Sequence, residues 1–332
     1  MRSTGMHWIV HIGAPKTGST AIQRFLFENR ESLLACGVRY PDVSLRGYGH
    51  HDLAFLLGGG YPVWATPQDR TLAELGAALR DAVRAGGTDT VLLSSENFYL
   101  YPEPATLRGL LRSAGMEADD RVSIVCYLRR QDEAHVSWYN QTVKAQGNSA
   151  GFEASVRRDH GLWDYAERLK PWQAEFGTSA LILRDYTALA SGDVRGDFLT
   201  AIGLPHAPFA LPPVRPNERI NRDILDFQRL LNRLPLKVAQ KRRYHKHLIA
   251  LTAATAGDTV FDDTPFLSAS QRAALVDSYA QGNASVARIF LDREDLFAPV
   301  SVEDNEAPSA RRGLTPAKLA FIVRWLIAHR LS

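Results

Sequence analysis

One short segment near the start of the chain combines two glycines, a lysine and three hydroxyl side chains. Gly13–Thr20 reads GAPKTGST; it follows the apolar stretch His7–Ile12, typical of a buried strand, and precedes an amphipathic helical pattern. A helix that begins in such a loop presents unpaired backbone N–H groups and the positive end of its dipole. The segment therefore predicts a phosphate-binding loop, with Lys16 as its charged group and hydroxyl donors on both sides of Gly18.

The spacing of the two glycines matches the nucleotide-binding P-loop, but the position of the lysine does not. The P-loop has the form G-x-x-x-x-G-K-[ST], with lysine directly after the second glycine. Here Ser19 occupies that position, and Lys16 lies two residues before Gly18. A divergent nucleotide-dependent kinase, in which Ser19 and Thr20 supply the hydroxyl near magnesium, is therefore one alternative.

A second candidate phosphate site follows the apolar stretch Arg121–Leu128. Arg129 comes directly after this predicted strand, and Ser137 lies eight residues later, about two turns into a predicted helix. An arginine side chain offers a planar pair of N–H donors to phosphate oxygens, and a serine adds one hydroxyl. The alternative is that Arg129 and Arg130 form ordinary charge pairs with the acidic residues Asp132 and Glu133.

A carboxylate follows a third predicted strand, Thr90–Ser94. The carboxyl ends of the strands in a doubly wound sheet form the crevice in which ligands bind. Glu96 is therefore a candidate general base, and a helix-capping role is the alternative. His50 and His51, within the loop-rich stretch Gly37–Gly60, are rival bases.

Together these segments resemble the sulfotransferases that use 3'-phosphoadenosine 5'-phosphosulfate (PAPS), in the style of the bacterial and glycan-modifying members. The Lys16–Thr20 segment resembles the 5'-phosphosulfate loop of that family, Arg129 and Ser137 resemble its 3'-phosphate site, and Ser95–Asn97 resembles the segment that carries its glutamate base. The resemblance covers residues 7–30 and 88–145 and is undetectable beyond residue 235. It departs at Asn97, where glycan-modifying members often have lysine, so a second basic catalyst is unassigned.

The resemblance implies two catalytic residues, Lys16 and Glu96, and seven donor-binding residues: Lys16, Thr17, Gly18, Ser19, Thr20, Arg129 and Ser137. It also implies PAPS as donor, 3'-phosphoadenosine 5'-phosphate (PAP) as product, no metal, and a hydroxyl or amine acceptor of the carbohydrate or glycoconjugate type. His51 is a weaker candidate for acceptor binding, and Arg215, Asn217 and Asn221 are weaker candidates for contact with the adenosine. A non-catalytic protein of the same fold that binds a nucleotide or glycan is a further alternative.

The order of the patterns predicts the fold class. Strand-like runs alternate with helical patterns, which indicates a P-loop-like, doubly wound parallel α/β sheet flanked by helices, with a helical C-terminal part. We expect one α/β domain over residues 6–300 with helical additions from about 217, a linker over 301–313, and a basic amphipathic helix over 314–332. Helices are predicted over Gly18–Leu34 and Asp132–Gln146. The net charge of +3 gives no reason to expect a nucleic-acid partner.

The end of the chain has a charge pattern of its own. Ser309–Ser332 carries five basic side chains and no acidic one. A helix there could lie on an anionic membrane surface, pack on its own domain, or pack on a second subunit of a homodimer. The short polar start does not resemble a signal peptide, and the two cysteines, Cys36 and Cys126, lack metal-ligand spacing. A cytoplasmic location with reduced thiols is therefore expected, with membrane association as an alternative.

Overall fold

The computed structural model describes residues 5–189, 192–211, 220–300 and 313–330. Its centre is a parallel five-stranded sheet with the strand order β2-β3-β1-β4-β5. The strands are β1 (His7–His11), β2 (Val38–Arg39), β3 (Thr90–Ser94), β4 (Arg121–Leu128) and β5 (Leu181–Asp185). Helices flank the sheet, and the predicted doubly wound α/β fold class is confirmed.

The described residues contain the following α-helices: α1 (Ser19–Glu28), α2 (Arg30–Ala35), α3 (His51–Leu57), α4 (Leu72–Arg84), α5 (Asn97–Leu100), α6 (Pro104–Ser113), α7 (Gln131–Gln141), α8 (Phe152–Arg158), α9 (Tyr165–Phe176), α10 (Val194–Ala201), α11 (Arg222–Leu231), α12 (Val238–Ala254), α13 (Ala269–Asp277), α14 (Ala280–Leu291) and α15 (Pro316–Arg330). Where the described residues allow comparison, the helical C-terminal part that the sequence predicts is present.

The strand order produces a change of direction at the carboxyl end of β1. The connection that follows β1 runs toward the β2 edge of the sheet, whereas the connections that follow β3 and β4 run toward the β5 edge. Ligands of doubly wound proteins bind at such a switch point. Because β3 and β4 are the two neighbours of β1, the residues that follow these three strands meet at the same edge.

A hydrophobic core fixes α1 against the sheet. Ile22, Phe25 and Leu26 form a buried stripe on α1 and belong to one cluster with Ile9 of β1 and Phe198 of α10. Burial of an isoleucine or leucine side chain is worth about 1.5–3 kcal/mol. This stripe therefore sets the direction of α1, and with it the position of the loop from which the helix starts.

The chain forms two compact units. The first lies within Met1–Arg130, Gly161–Val214 and Tyr279–Ala298 and contains the whole sheet. The second lies within Gln131–His160, Arg215–Ser278 and Pro299–Ser332, and its described elements are helical. The second unit has a hydrophobic core of its own, which includes residues of α7, α11, α12 and α15. The expected single domain over 6–300 stays a prediction.

The helix predicted over Gly18–Leu34 is interrupted at Asn29. The backbone leaves the helical region there, with φ −108° and ψ 23°, and α2 begins at the next residue. The Asn29 side-chain amide donates to the Phe25 carbonyl at 2.9 Å, as does its backbone N–H at 3.0 Å. Asparagine competes with the helix for its own backbone groups in this way.

Two further predictions differ from the structure in detail. The stretch Gly37–Gly60, predicted to be loop-rich, contains β2 and α3. The helix predicted over Asp132–Gln146 is α-helical to Gln141 and continues as a π-helical turn over Thr142–Gln146.

Several expectations concern residues at or beyond the limits of the described chain. Arg215, Asn217 and all of the expected linker except Gly313 lie outside the described residues. Asn221 is described, and its side chain accepts a hydrogen bond from the Asp223 backbone N–H at 2.9 Å, which caps α11. Among the helices whose residues are described, none has the length and apolar character that a membrane span requires.

Both cysteines are free thiols. Cys126 is buried within β4, and this burial raises its pKa to about 12. The thiol is therefore protonated at neutral pH, as expected of a structural cysteine.

Candidate functional site

The loop between β1 and α1, residues 12–18, turns through left-handed backbone conformations. The φ angle is 31° at Gly13, 65° at Lys16 and 79° at Gly18. A left-handed conformation is uncommon for a residue with a long side chain, so Lys16 is held there by its surroundings. At Gly13 a Cβ atom would also lie 2.8 Å from His11 Nε2 and 2.8 Å from Ser19 Oγ, which only glycine avoids.

Several polar groups of this loop lack a partner within the described chain. The backbone N–H groups of Gly18, Ser19 and Thr20 donate to none of its acceptors. Ser19 Oγ is buried without a hydrogen bond, and so is His11 Nε2, and both atoms lie close to Gly13. A buried polar group without a partner costs about 1–3 kcal/mol. These groups therefore favour a bound ligand that accepts hydrogen bonds.

His11 lies beneath the loop at the end of β1. Its Nδ1 atom is 2.7 Å from Ser94 Oγ on β3, and burial lowers its pKa to about 4. The ring is therefore neutral at pH 7. In the tautomer in which Nδ1 accepts from the Ser94 hydroxyl, the single proton of the ring lies on Nε2. His11 can then donate from beneath the loop toward the region around Gly13.

Thr17 has a different role from its neighbours. Its hydroxyl donates to the Ala14 carbonyl at 2.6 Å, so the side chain braces the loop and leaves the backbone N–H for a ligand. The Thr20 side chain is exposed at the first turn of α1. Of the three hydroxyl groups, Ser19 Oγ is the buried one without a partner.

Two cations lie next to each other at this loop. Arg129 Nη1 donates to the Lys16 carbonyl oxygen at 3.1 Å. Burial and, to a smaller extent, the charge of Arg129 lower the pKa of Lys16, while the charge of Glu96 raises it. A phosphate-like anion bound at this loop would interact favourably with both positive charges.

Arg129 is fixed by its surroundings. Its backbone N–H donates to Tyr165 Oη at 3.1 Å, and its carbonyl accepts from the same hydroxyl at 2.5 Å. The guanidinium lies 5.5 Å from the centre of the Tyr186 ring. The backbone at the end of β4 is thereby clamped, and the side chain is directed along the β1–α1 loop.

Glu96 lies where β3 ends, and its side chain is 27% exposed. Gln23 Nε2, on α1, donates to Glu96 Oε2 at 2.8 Å, and His51 Nδ1 lies 3.9 Å from the same oxygen. Glu96 Oε1 accepts no hydrogen bond from the described residues. One carboxylate oxygen is therefore held by the protein, while the other is left to accept a proton from a substrate.

The two neighbouring histidines differ in environment. His51 Nδ1 accepts from Asn97 Nδ2 at 2.8 Å and lies 2.8 Å from Ser95 Oγ, so His51 is oriented by the residues on either side of Glu96. His50 is fully buried: its Nδ1 accepts from the Ser94 N–H at 3.1 Å, and its Nε2 donates to the Pro41 carbonyl at 3.0 Å. Burial lowers the pKa of His50 to about 4. His50 therefore has no free nitrogen for proton transfer.

Gly49 makes room for the two side chains that flank Glu96 Oε2, Gln23 and His51. A Cβ atom at this position would lie 2.8 Å from Gln23 Cδ and 2.8 Å from His51 Nε2. The φ angle of Gly49 is not in the left-handed region. Space, and not backbone conformation, is therefore what requires glycine here.

The structure brings Lys16, Glu96 and Arg129 together in the first unit, at the carboxyl ends of three adjacent strands. Ser137 lies half-buried on α7, in the second unit, and its pairing with Arg129 stays a prediction. His11, Gln23 and Gly49 were not predicted, because no motif marks them. The one signal for Gln23 is a polar residue beside the apolar stripe of an amphipathic helix. The described residues hold no cluster of three or more His, Cys, Asp or Glu suited to a metal ion.

No model of a known protein family matches the chain. An uncharacterized protein of Archaeoglobus fulgidus is 38% identical over 87 residues, which are 25% of this chain and 23% of that protein. The chain thus matches less than a quarter of the length of that relative.

The solved structures that are similar to the chain include two sulfotransferases. A sulfotransferase from Alicyclobacillus acidocaldarius matches with a TM-score of 0.42 and 16% identity, over 74% of this chain and 92% of that one. The sulfotransferase domain from the curacin biosynthetic pathway matches with a TM-score of 0.33 and 13% identity, over 85% of this chain and 98% of that one. Similarity this loose carries no functional conclusion, so function has to be argued from the site itself.

Proposed function

We propose that the chain is a sulfotransferase that moves a sulfuryl group from PAPS to a hydroxyl or amine of an acceptor. The observation that carries the proposal is the grouping of Lys16, Arg129 and Glu96 around the β1–α1 loop. Two cations and a row of unpaired N–H groups suit a donor with two anionic ends. A carboxylate with one free oxygen, within electrostatic reach of Lys16, suits the removal of a proton from an acceptor.

The polar groups of the first unit fit the 5' end of such a donor. The backbone N–H groups of residues 17–20, the Ser19 hydroxyl and Lys16 would hold the phosphosulfate. Lys16 and the dipole of α1 supply positive charge where a P-loop enzyme uses lysine and a metal ion. We assign the 3'-phosphate to Arg129 and, from the sequence motif alone, to Ser137. This assignment would distinguish PAPS from ATP, which has no 3'-phosphate.

The proposed reaction is a direct displacement at sulfur. Glu96 Oε1 takes the acceptor's proton, the acceptor oxygen or nitrogen forms a bond to sulfur, and the bond from sulfur to the bridging phosphate oxygen breaks. The electron pair of the broken bond stays on the phosphate, where Lys16 and the loop N–H groups stabilise the added charge. Gln23 donates a hydrogen bond to Glu96 Oε2, which leaves Oε1 for the proton.

The acceptor that we propose is a carbohydrate or glycoconjugate. The support is the glutamate that follows β3, which resembles the base of glycan-modifying sulfotransferases. Asn97 stands where those enzymes often have lysine, and it holds His51 beside Glu96. We therefore propose His51 as the basic group that compensates for the missing lysine. A cytoplasmic location and a homodimer stay predictions.

The test is transfer of radiolabelled sulfate from PAPS to a panel of saccharide, glycolipid and amine acceptors. Glu96→Gln is expected to abolish transfer while PAP binding, measured by calorimetry, stays within about threefold of the parent. Glu28→Gln, which changes an exposed carboxylate of α1, is the matched control and is expected to keep full activity. Normal transfer by Glu96→Gln would remove Glu96 from the mechanism. PAP binding without transfer to any acceptor would favour the non-catalytic alternative.

A further inference from the structure

Helix α15 of the second unit is apolar on two sides. Its inner side is part of the second unit's core, in which Ile322 is fully buried and the Phe321 ring lies 5.6 Å from Phe261 in an edge-on contact. On the other side Val323 is 44% exposed and Ile327, one turn later, is 57% exposed. Packing on its own unit therefore explains why the inner face of α15 is apolar. It does not explain why Val323 and Ile327, on the exposed face, are apolar.

This exposed pair lies in a strongly cationic part of the chain. Arg324, between the two residues, is exposed and has no carboxylate partner in the described chain. The sequence contains no acidic residue after Glu306. Lys318 differs from Arg324, because it forms an internal ion pair at 2.5 Å with the buried Asp223.

The helix against which α15 packs has the same charge character. Helix α12 contacts α15, and its sequence has four Lys or Arg residues and no Asp or Glu. Lys237 and Lys246 are exposed and form no ion pair within the described residues. Arg324 is thus part of a wider basic region of the second unit, since neither α12 nor α15 contains a carboxylate of its own.

We propose that the α15 face formed by Val323, Arg324 and Ile327 docks on a membrane surface that contains anionic lipids. On such a surface the aliphatic side chains enter the boundary between headgroups and acyl chains, and the cation interacts with the anionic headgroups. A second copy of the chain is a poorer occupant, because a symmetric interface would place these cations against their own copies. The inference is independent of the proposed sulfotransferase activity.

The test is flotation of the full chain with vesicles of phosphatidylcholine, alone or with phosphatidylglycerol added. Binding is expected only to the anionic vesicles, and it is expected to weaken as salt is raised. Ile327→Ser is expected to lower the partition coefficient about tenfold, because one aliphatic side chain no longer enters the lipid. Arg324→Gln is expected to lower it about fivefold, from the loss of one cation near the surface.

Ile289→Ser on α14 is the matched control. Ile289 is 47% exposed and belongs to the first unit, close to Asp292, Glu294 and Asp295, so its loss should leave binding unchanged. An unaltered thermal unfolding midpoint shows that Ile327→Ser still folds. Equal binding to both vesicle types, or no binding at low salt, would overturn the proposal. A dimer in light scattering that Ile327→Ser dissociates would also overturn it, in favour of a second copy as occupant.

Discussion

Replacement of Gly49 by alanine tests whether Gln23 and His51 position Glu96. The added Cβ would lie 2.8 Å from both Gln23 Cδ and His51 Nε2, closer than carbon and nitrogen atoms approach without displacement. The substitution adds no backbone strain, because the φ angle of Gly49 is not in the left-handed region. Both side chains therefore have to move away from Gly49, and we expect this movement to draw Gln23 Nε2 away from Glu96 Oε2, to which it donates at 2.8 Å.

The expected loss follows from that hydrogen bond. A hydrogen bond to a charged group contributes about 1.5–3 kcal/mol. If it serves to hold Glu96 in place for proton transfer, its loss should lower kcat about 10- to 100-fold, at about 1.4 kcal/mol for each factor of ten. The affinity for PAP should change less than about threefold, because Gly49 is outside the β1–α1 loop.

The assay is sulfate transfer at saturating PAPS, with PAP affinity measured by calorimetry on the same samples. Gly161→Ala is the control, since a Cβ there meets nothing within 4 Å and its φ is not left-handed. Gln23→Leu should give a similar loss, and the double variant should be no worse than either single one, as expected for residues that act through one contact. Unchanged kcat in Gly49→Ala would refute the positioning role of Gln23 and His51.

Three further predictions concern the β1–α1 loop and His50. Lys16→Ala should lower kcat about 100-fold or more, since it removes a charge that stabilises the leaving phosphate; transfer assays check this, and a loss below about threefold would contradict it. Ser19→Ala should weaken PAP binding about tenfold, as measured by calorimetry. It should also raise the free energy of unfolding by up to about 1 kcal/mol, because it removes a buried hydroxyl without a partner. Urea unfolding measures this change, and a loss of stability would contradict the prediction. The folded-state pKa of His50 is lowered from 6.5 to about 4, so the unfolded chain takes up the proton first, and stability is lost as pH falls from about 6.5 toward 4. Between pH 7 and pH 5, the free energy of unfolding of His50→Asn should therefore fall by about 2 kcal/mol less than that of the parent, as measured by urea unfolding. An equal fall in both proteins would contradict this prediction.

Much of the sheet could be predicted from the sequence. Thr90–Ser94 and Arg121–Leu128 are apolar runs of strand length with clear ends, and the structure has β3 and β4 with these same limits. The two-residue β2 could not be predicted, because a pair of residues has no periodicity and pairs only through its position beside β3. The break at Asn29 was missed since the apolar stripe continues past it to Leu33.

Some residues of the candidate site could be predicted from the sequence, and others could not. Lys16, Glu96 and Arg129 were predicted because each follows a recognisable strand, and a parallel sheet brings such positions to one edge. Gln23, His11 and Gly49 depend on contacts between segments far apart in sequence, such as Gln23 with Glu96. Their residue types carry no chemical signal until the chain is folded.

Titration calorimetry with PAP and with ATP tests the central claim most directly. The account predicts that PAP binds one-to-one in the presence of a metal chelator, that Lys16→Ala and Arg129→Ala each weaken this binding at least tenfold, and that ATP binds far more weakly with or without magnesium. Tight binding of ATP that requires magnesium, together with no binding of PAP, would contradict the account and favour the nucleotide-dependent kinase.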